Sequence, residues 1–270
     1  MRLQGNGPLP MTTMTTAPLT PQNNSTGDDY RLLVKFPTRG RPEKFFKVFD
    51  RYYRGCADRS RVKFLITVDC DDESMRSESV VKQLRAYENI TVCYGHSKSK
   101  IEAVNADMHV VSPDEYDIIL LASDDMVPEV KGYDRRIREE MAKTYPDTDG
   151  VLWFFDGYRR DFNTLSILGR KYYERFGYIY HPGYKSFWCD NEFTEVANRL
   201  GKQTFIDQVI IRHVHPDWIS AHKPTAELNS RLGLDSTGPL HDATFMKNLP
   251  YEQHDRALYQ RRLKEGFSNP

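Results

Sequence analysis

The sequence lacks any long apolar run. Its longest, Ile118 to Ala122 and Val151 to Phe155, fall far short of the ~20 residues a membrane-spanning helix needs, so no membrane insertion is expected. It also lacks a recognisable secretory leader, because Gly5, Gly7, Pro8 and Pro10 break the N-terminal stretch, and a cytoplasmic location is expected. Net charge is absent, with 38 Lys and Arg balanced by 38 Asp and Glu. That balance excludes a strongly basic nucleic-acid coat and an acidic disordered chain. Cysteine is scarce. Cys56, Cys70, Cys93 and Cys189 form no C-x-x-C pair, which reads as scattered buried thiols in a reducing compartment. No internal repeat of solenoid length is present.

What is present is a chain of 270 residues, long enough to bury a sizeable core without disulfides or a structural metal. Residues 1–28 are rich in Thr, Pro, Asn and Ser and have no hydrophobic period, so a disordered tail is expected there. Beyond it, β-rich runs alternate with helical patterns. Strands are expected at Arg31–Phe36, Val62–Val68, Ile90–Tyr94, Asp117–Ala122 and Gly150–Phe155. Helices are expected at Glu43–Arg54, Ser77–Tyr87, Ser99–His109 and Tyr133–Tyr145. This order predicts an α/β fold with an open, mostly parallel sheet of Rossmann type flanked by helices. A single domain is expected over 29–219, followed by a helical C-terminal extension over 220–270. In that extension Arg256, Arg261, Arg262 and Lys264 suggest a basic helix face, diluted by Glu252, Asp255 and Glu265; it reads either as a phosphate contact or as a solvated surface.

Ligands of such sheets bind beyond the carboxyl ends of the strands, where three polar clusters fall. Ser123-Asp124-Asp125 places adjacent carboxylates after a buried strand, an arrangement that a divalent cation resolves, or that caps the next segment. Asp69 ends the second strand and reads as a ribose or base contact, or as a turn residue. Pro37-Thr38-Arg39-Gly40-Arg41-Pro42 reads as a phosphate or base cradle, or as a solvated basic turn. Lys100 and Asn105 lie about one and a half turns apart on one expected helix, facing either a ligand or solvent. Further on, Asp190 and Glu192 precede an expected helix over Thr194–Leu200. Asp190 is either a general base or an N-cap. His213 and His215 alternate at the end of an expected strand over Ile206–Arg212, and so share a face as candidate metal or phosphate contacts.

The ordered set Leu33-Val-Lys-Phe-Pro-Thr-Arg-Gly-Arg-Pro42, Val68-Asp69, Ser99-Lys-Ile-Glu-Ala-Val-Asn105, Leu120-Leu-Ala-Ser-Asp-Asp125, Asp190-Asn-Glu-Phe193 and His213 resembles a GT-A fold glycosyltransferase of the family 2 type. The resemblance covers residues 31–218. It implies a transferase that moves a sugar from a nucleoside-diphosphate sugar, a UDP-sugar being favoured, to an acceptor hydroxyl with inversion. By the same resemblance Thr38, Arg39, Arg41, Asp69, Lys100, Asn105 and Asp124 would contact the donor. Asp125, with His213 and with His215 in reserve, would hold Mn²⁺ or Mg²⁺. Asp190 would be the base, with Glu192 its alternative. The acceptor, whether glycan, protein or modified nucleic acid, is left open. The family pattern is commonly Asp-x-Asp-Asp, and Ala122 stands at its first position. That departure keeps a non-catalytic nucleotide- or sugar-binding module of the same fold as a rival. A sugar-phosphate nucleotidyltransferase is a second rival, but its Gly-rich first loop is poorly matched by Pro37–Pro42. The aromatics Tyr172, Tyr173, Tyr178, Tyr180, Tyr184, Phe187 and Trp188 are expected to wall the acceptor site, since sugars stack on aromatic faces.

Overall fold

Apolar residues alternate along the first strand, β1 (Leu32–Thr38), and the alternation divides them between two cores. Leu32, Val34 and Phe36 enter one cluster and Leu33 the other, as a period of two requires in a sheet covered on both faces. The computed structural model describes residues 27–214 and 243–267, with Glu227 and Ser230 between them. Most of the expected tail, and His215, lie outside the described residues.

After β1, the chain forms α1 (Pro42–Gly55), β2 (Val62–Asp69), α2 (Glu78–Leu84), β3 (Ile90–Gly95), α3 (Lys100–Asn105) and β4 (Ile118–Leu121). It continues through β5 (Met126–Pro128), α4 (Tyr133–Thr144), β6 (Val151–Phe154), β7 (Ile167–Gly169), α5 (Arg170–Glu174) and α6 (Cys189–Arg199). Then come β8 (Gln203–Ile206), β9 (Ile211–His213), α7 (Ala243–Asn248) and α8 (Glu252–Lys264). Among the described residues, seven strands form one sheet in the order β3-β2-β1-β4-β7-β6-β8, and β5 pairs with β9. The sheet is mostly parallel, as the alternating pattern predicts. The exception is β7, antiparallel to both β4 and β6. It comes from Ile167–Gly169, a three-residue strand too short for periodicity to reveal.

Pro42 opens α1 at a position where its missing N–H costs nothing. The helix then buries Phe45, Phe46, Phe49 and Tyr52. Phe49 meets Phe36 edge-on at 6.1 Å and Phe64 at 5.2 Å between ring centroids, so α1 is keyed to both β1 and β2. On the other face, Ile101 and Val104 of α3 pack with Leu33, Leu65 and Ile119.

Two sequence expectations are corrected here. The expected strand over Ile206–Arg212 is two strands, β8 and β9, on different sheets. The expected helix over Thr194–Leu200 begins earlier, at Cys189, so Asp190 and Glu192 lie inside its first turn. Asp190 is therefore not the N-cap. That place belongs to Trp188, in the left-handed region at φ 63.

Candidate active site

From β1 the chain steps outward to β2 and β3 on one side, then returns past β1 to place β4 on its other side. A crevice forms at such a switch point beyond the strand ends. The loop after β1 turns at Gly40, whose φ of 72 favours glycine. Its N–H donates to Asp72 Oδ2 at 2.6 Å. The loop after β4 carries Ser123, Asp124 and Asp125. The two loops are joined across the crevice by Arg41 donating to Asp124 Oδ1 at 2.7 Å, with Lys44 3.8 Å from the same oxygen.

The crevice opens into a cavity of about 620 Å³. Thr38, Arg39, Asp69 and Asp71 line one part of it, and Ser97, Lys98 and Lys100 another. Asp69 is buried, and both its oxygens are engaged: Ser97 N–H donates at 3.1 Å and Arg39 at 2.6 Å. Arg39 also forks onto Asp71 at 2.6 and 2.7 Å. Hydrogen bonding from Arg39 pulls the exposed Asp71 carboxyl down to about 2. Thr38 Oγ1 is buried beside the cavity and has no hydrogen-bond partner among the described residues. Such an orphaned hydroxyl is uncommon and invites a ligand partner.

Asp125 and His213 line the same cavity. The pairing of β5 with β9 sets Met126 opposite His213, and the His213 imidazole Nε2 lies 3.7 Å from Asp125 Oδ2. Burial alone would push the Asp125 carboxyl up. The nearby His213 imidazole, with Lys100 and Lys44 beyond, instead holds it well below the usual carboxylate range. One carboxylate and one imidazole are hard-to-borderline donors that suit Mn²⁺ or Mg²⁺ when phosphate and water oxygens supply the rest. Among the described residues no three His, Cys, Asp or Glu side chains cluster as a metal cage. Asp124, engaged by Arg41 and Lys44, is placed to orient those cations.

Asp190 reaches the cavity from the first turn of α6. Its Oδ1 accepts the Asn191 N–H at 3.0 Å. Burial pushes its carboxyl above the ordinary value, against the pull of Lys100. Such a carboxyl is better suited to proton transfer than a solvated one.

Two candidates lie elsewhere. Asn105 is not on the cavity wall. Its Oδ1 accepts the Ile179 and Tyr180 N–H groups at 3.0 and 3.2 Å, and its Nδ2 donates to the Tyr180 carbonyl at 2.7 Å. These bonds fasten a loop. Five residues along a helix is an advance of about 140° beyond one turn, so Asn105 cannot share the face of Lys100. Glu192 is buried against Arg262 at 2.8 Å and Tyr184 at 2.7 Å. Two residues from Asp190 on a helix, it points to the opposite side.

The aromatic wall is also redrawn. Tyr172, Tyr180 and Tyr184 are core residues. Phe187 and Trp188 do line the cavity, joined by Tyr158, Arg159 and Phe162 from the loop after β6. Lys247, Tyr251 and Glu252 of the C-terminal segment complete it. Nothing local in the sequence marks Lys247 to Glu252 as cavity wall.

No family model matches the sequence, and no curated protein matches it. Solved structures are similar in fold. A mannosyltransferase from Pyrobaculum calidifontis, in complex with GDP-Man and Mn²⁺, superposes with a TM-score of 0.57 at 13% identity over 87% of this chain and 73% of its own. TarS of S. aureus gives 0.55 at 12% identity, covering 69% of this chain but 37% of TarS. Its 1–349 portion in complex with UDP-GlcNAc gives 0.51 at 14% identity, covering 67% and 58%. The sheet order, the crevice at its switch point and these likenesses together establish that the chain is built on the GT-A fold.

Proposed function

We propose that the chain transfers a sugar from a nucleoside-diphosphate sugar to an acceptor hydroxyl, using a divalent metal. The observation that carries this reading is the convergence on one cavity of Thr38, Arg39, Asp69, Lys100, the Asp124-Asp125 pair, Asp190 and His213. In this reading 29–219 is the transferase domain and 220–270 an extension, of which Lys247, Tyr251 and Glu252 line the cavity.

Thr38, Arg39 and Asp69 bind the nucleoside, where the orphaned Thr38 hydroxyl finds its partner. Asp125 and His213 hold Mn²⁺ or Mg²⁺, which when bound offsets charge on the diphosphate. Arg41, Lys44 and Lys100 add fixed positive charge toward the leaving group. Asp190 accepts the proton of the acceptor hydroxyl as that oxygen attacks the anomeric carbon. Attack in line with the departing diphosphate inverts the anomeric centre. A UDP-sugar is the favoured donor, supported by the UDP-GlcNAc complex of TarS; GDP-mannose is the second to test, given the mannosyltransferase complex.

Asp190→Asn tests the assignment. It is expected to lower transfer by at least about 100-fold, in the range that general-base catalysis contributes, while leaving nucleotide affinity near normal. Transfer at the wild-type rate would contradict the role. The pH profile supplies a second check. Because burial raises the Asp190 carboxyl, activity should fall on acidification at a higher pH than an ordinary aspartate would give. The binding-module rival draws on the engagement of Asp124 by Arg41; it predicts donor binding without donor consumption.

A further inference from the structure

We propose that Asp255 of α8 is a positioning residue for sugar transfer, acting through the loop that presents Trp188 and Asp190 to the cavity. The proposal rests on the transferase reading above. Asp255 lies beyond residues 31–218, which carry the sequence motifs, and its side chain has no exposed surface. Its Oδ1 accepts the Lys185 N–H at 3.0 Å and faces His254 Nδ1 at 2.9 Å. Its Oδ2 accepts the Ser186 and Phe187 N–H groups, each at 2.8 Å. Three consecutive N–H groups converging on one carboxylate fix the path of the backbone.

The path so fixed leads straight into the site. Phe187 and Trp188 line the cavity, and Asp190 follows two residues later. Trp188 is held in the left-handed region, unfavourable for a bulky side chain. Such a conformation persists only where the surroundings over-determine it. Here α8 supplies those surroundings. The Trp188 indole N–H donates to Glu252 at 3.4 Å, its ring meets Tyr259 at 5.3 Å, and Arg256 sits 6.0 Å above it. Thus α8 sets both the aromatic wall and the entry angle of α6. The nucleoside end is built from the β1 and β2 loops, with no bond to Asp255. Displacing the loop should therefore impair turnover and spare nucleotide binding.

The experiment uses the full chain with Asp255→Asn, which keeps the side-chain volume, and Tyr259→Ala, which removes support behind Trp188 from outside the cavity. UDP affinity is measured with Mn²⁺, turnover is read as UDP release from UDP-GlcNAc, and amide hydrogen exchange is followed over 185–190. If GDP-mannose proves the donor, GDP and GDP-mannose replace these probes. Asp255→Asn is expected to lower kcat about 100-fold, the cost of a misplacement on the order of 1 Å. Tyr259→Ala is expected to lower it several-fold. Nucleotide affinity should hold within about twofold, with exchange accelerated at 185–190 and unchanged in β1 and β4. Wild-type turnover and exchange in both variants would overturn the positioning role alone. Loss of nucleotide binding with exchange accelerated throughout would also overturn it, as plain destabilisation. A wild-type chain that neither binds nor consumes any nucleoside-diphosphate sugar would overturn the transferase reading, and this role with it.

Discussion

Lys35 is the least expected residue of β1. Its side chain has no exposed surface, and its ammonium donates to Thr67, whose hydroxyl in turn donates to Asp107 at 2.7 Å. Burial lowers its pKa from 10.5 to about 8, against the partial support of Asp107 and Cys93. Between those two values the unfolded chain binds more protons than the folded one, so stability attributable to this residue rises with pH. Below about 8 the buried charge carries its full penalty, on the order of 3 kcal/mol. Lys35→Met should therefore be more stable than wild type at pH 7, with the advantage shrinking towards pH 10 in urea denaturation. An advantage independent of pH would contradict the assignment. Single residues were unevenly legible in the sequence. Thr38, Arg39, Asp69 and Asp125 could be placed because strand ends announce themselves through an apolar run followed by polar residues. Asn105 and Glu192 could not, because their faces depend on helical phase, and the first turn of α6 starts five residues before Thr194. His215 lies outside the described residues.

At the scale of elements, periodic segments with a strong apolar face, such as α1, β2 and β4, were readable nearly to their ends. Short elements were not. β5, β7 and β9 each have three residues, and tertiary pairing alone defines them. The C-terminal helix shows a subtler failure. Its expected basic face includes Arg262, yet Arg262 is buried and bonded to Glu192 of α6 at 2.8 Å. Charge composition cannot distinguish a solvated cation from a paired one in the interior. This pair ties α8 to α6. Arg262→Met should cost about 3–5 kcal/mol, because it strands the Glu192 carboxylate in the interior. The double substitution Glu192→Met with Arg262→Met should cost less. Equal losses from both, measured by chemical denaturation, would contradict this account.

Across the whole molecule, the sheet order creates a crevice between the β1 and β4 loops, and the polar clusters legible in the sequence all open onto it. Strand order itself was not legible: alternation of strands and helices specifies a parallel sheet but not which strand is central. Nor was the return of residues 247–252 to the cavity, about 200 positions after the Pro37–Pro42 loop they share it with. Among the described residues no helix is long and apolar enough to cross a membrane. The central claim is that this cavity binds a nucleoside diphosphate with a divalent metal. The most direct test is thermal-shift binding of the full chain against UDP, GDP and their sugars, with and without Mn²⁺. Ligand at 100 times its Kd adds about 2.7 kcal/mol of stability. One nucleotide should therefore raise Tm clearly, more with Mn²⁺ than without, and Asp125→Asn should lose the Mn²⁺-dependent part. A folded sample whose Tm moves with none of these ligands would contradict the account.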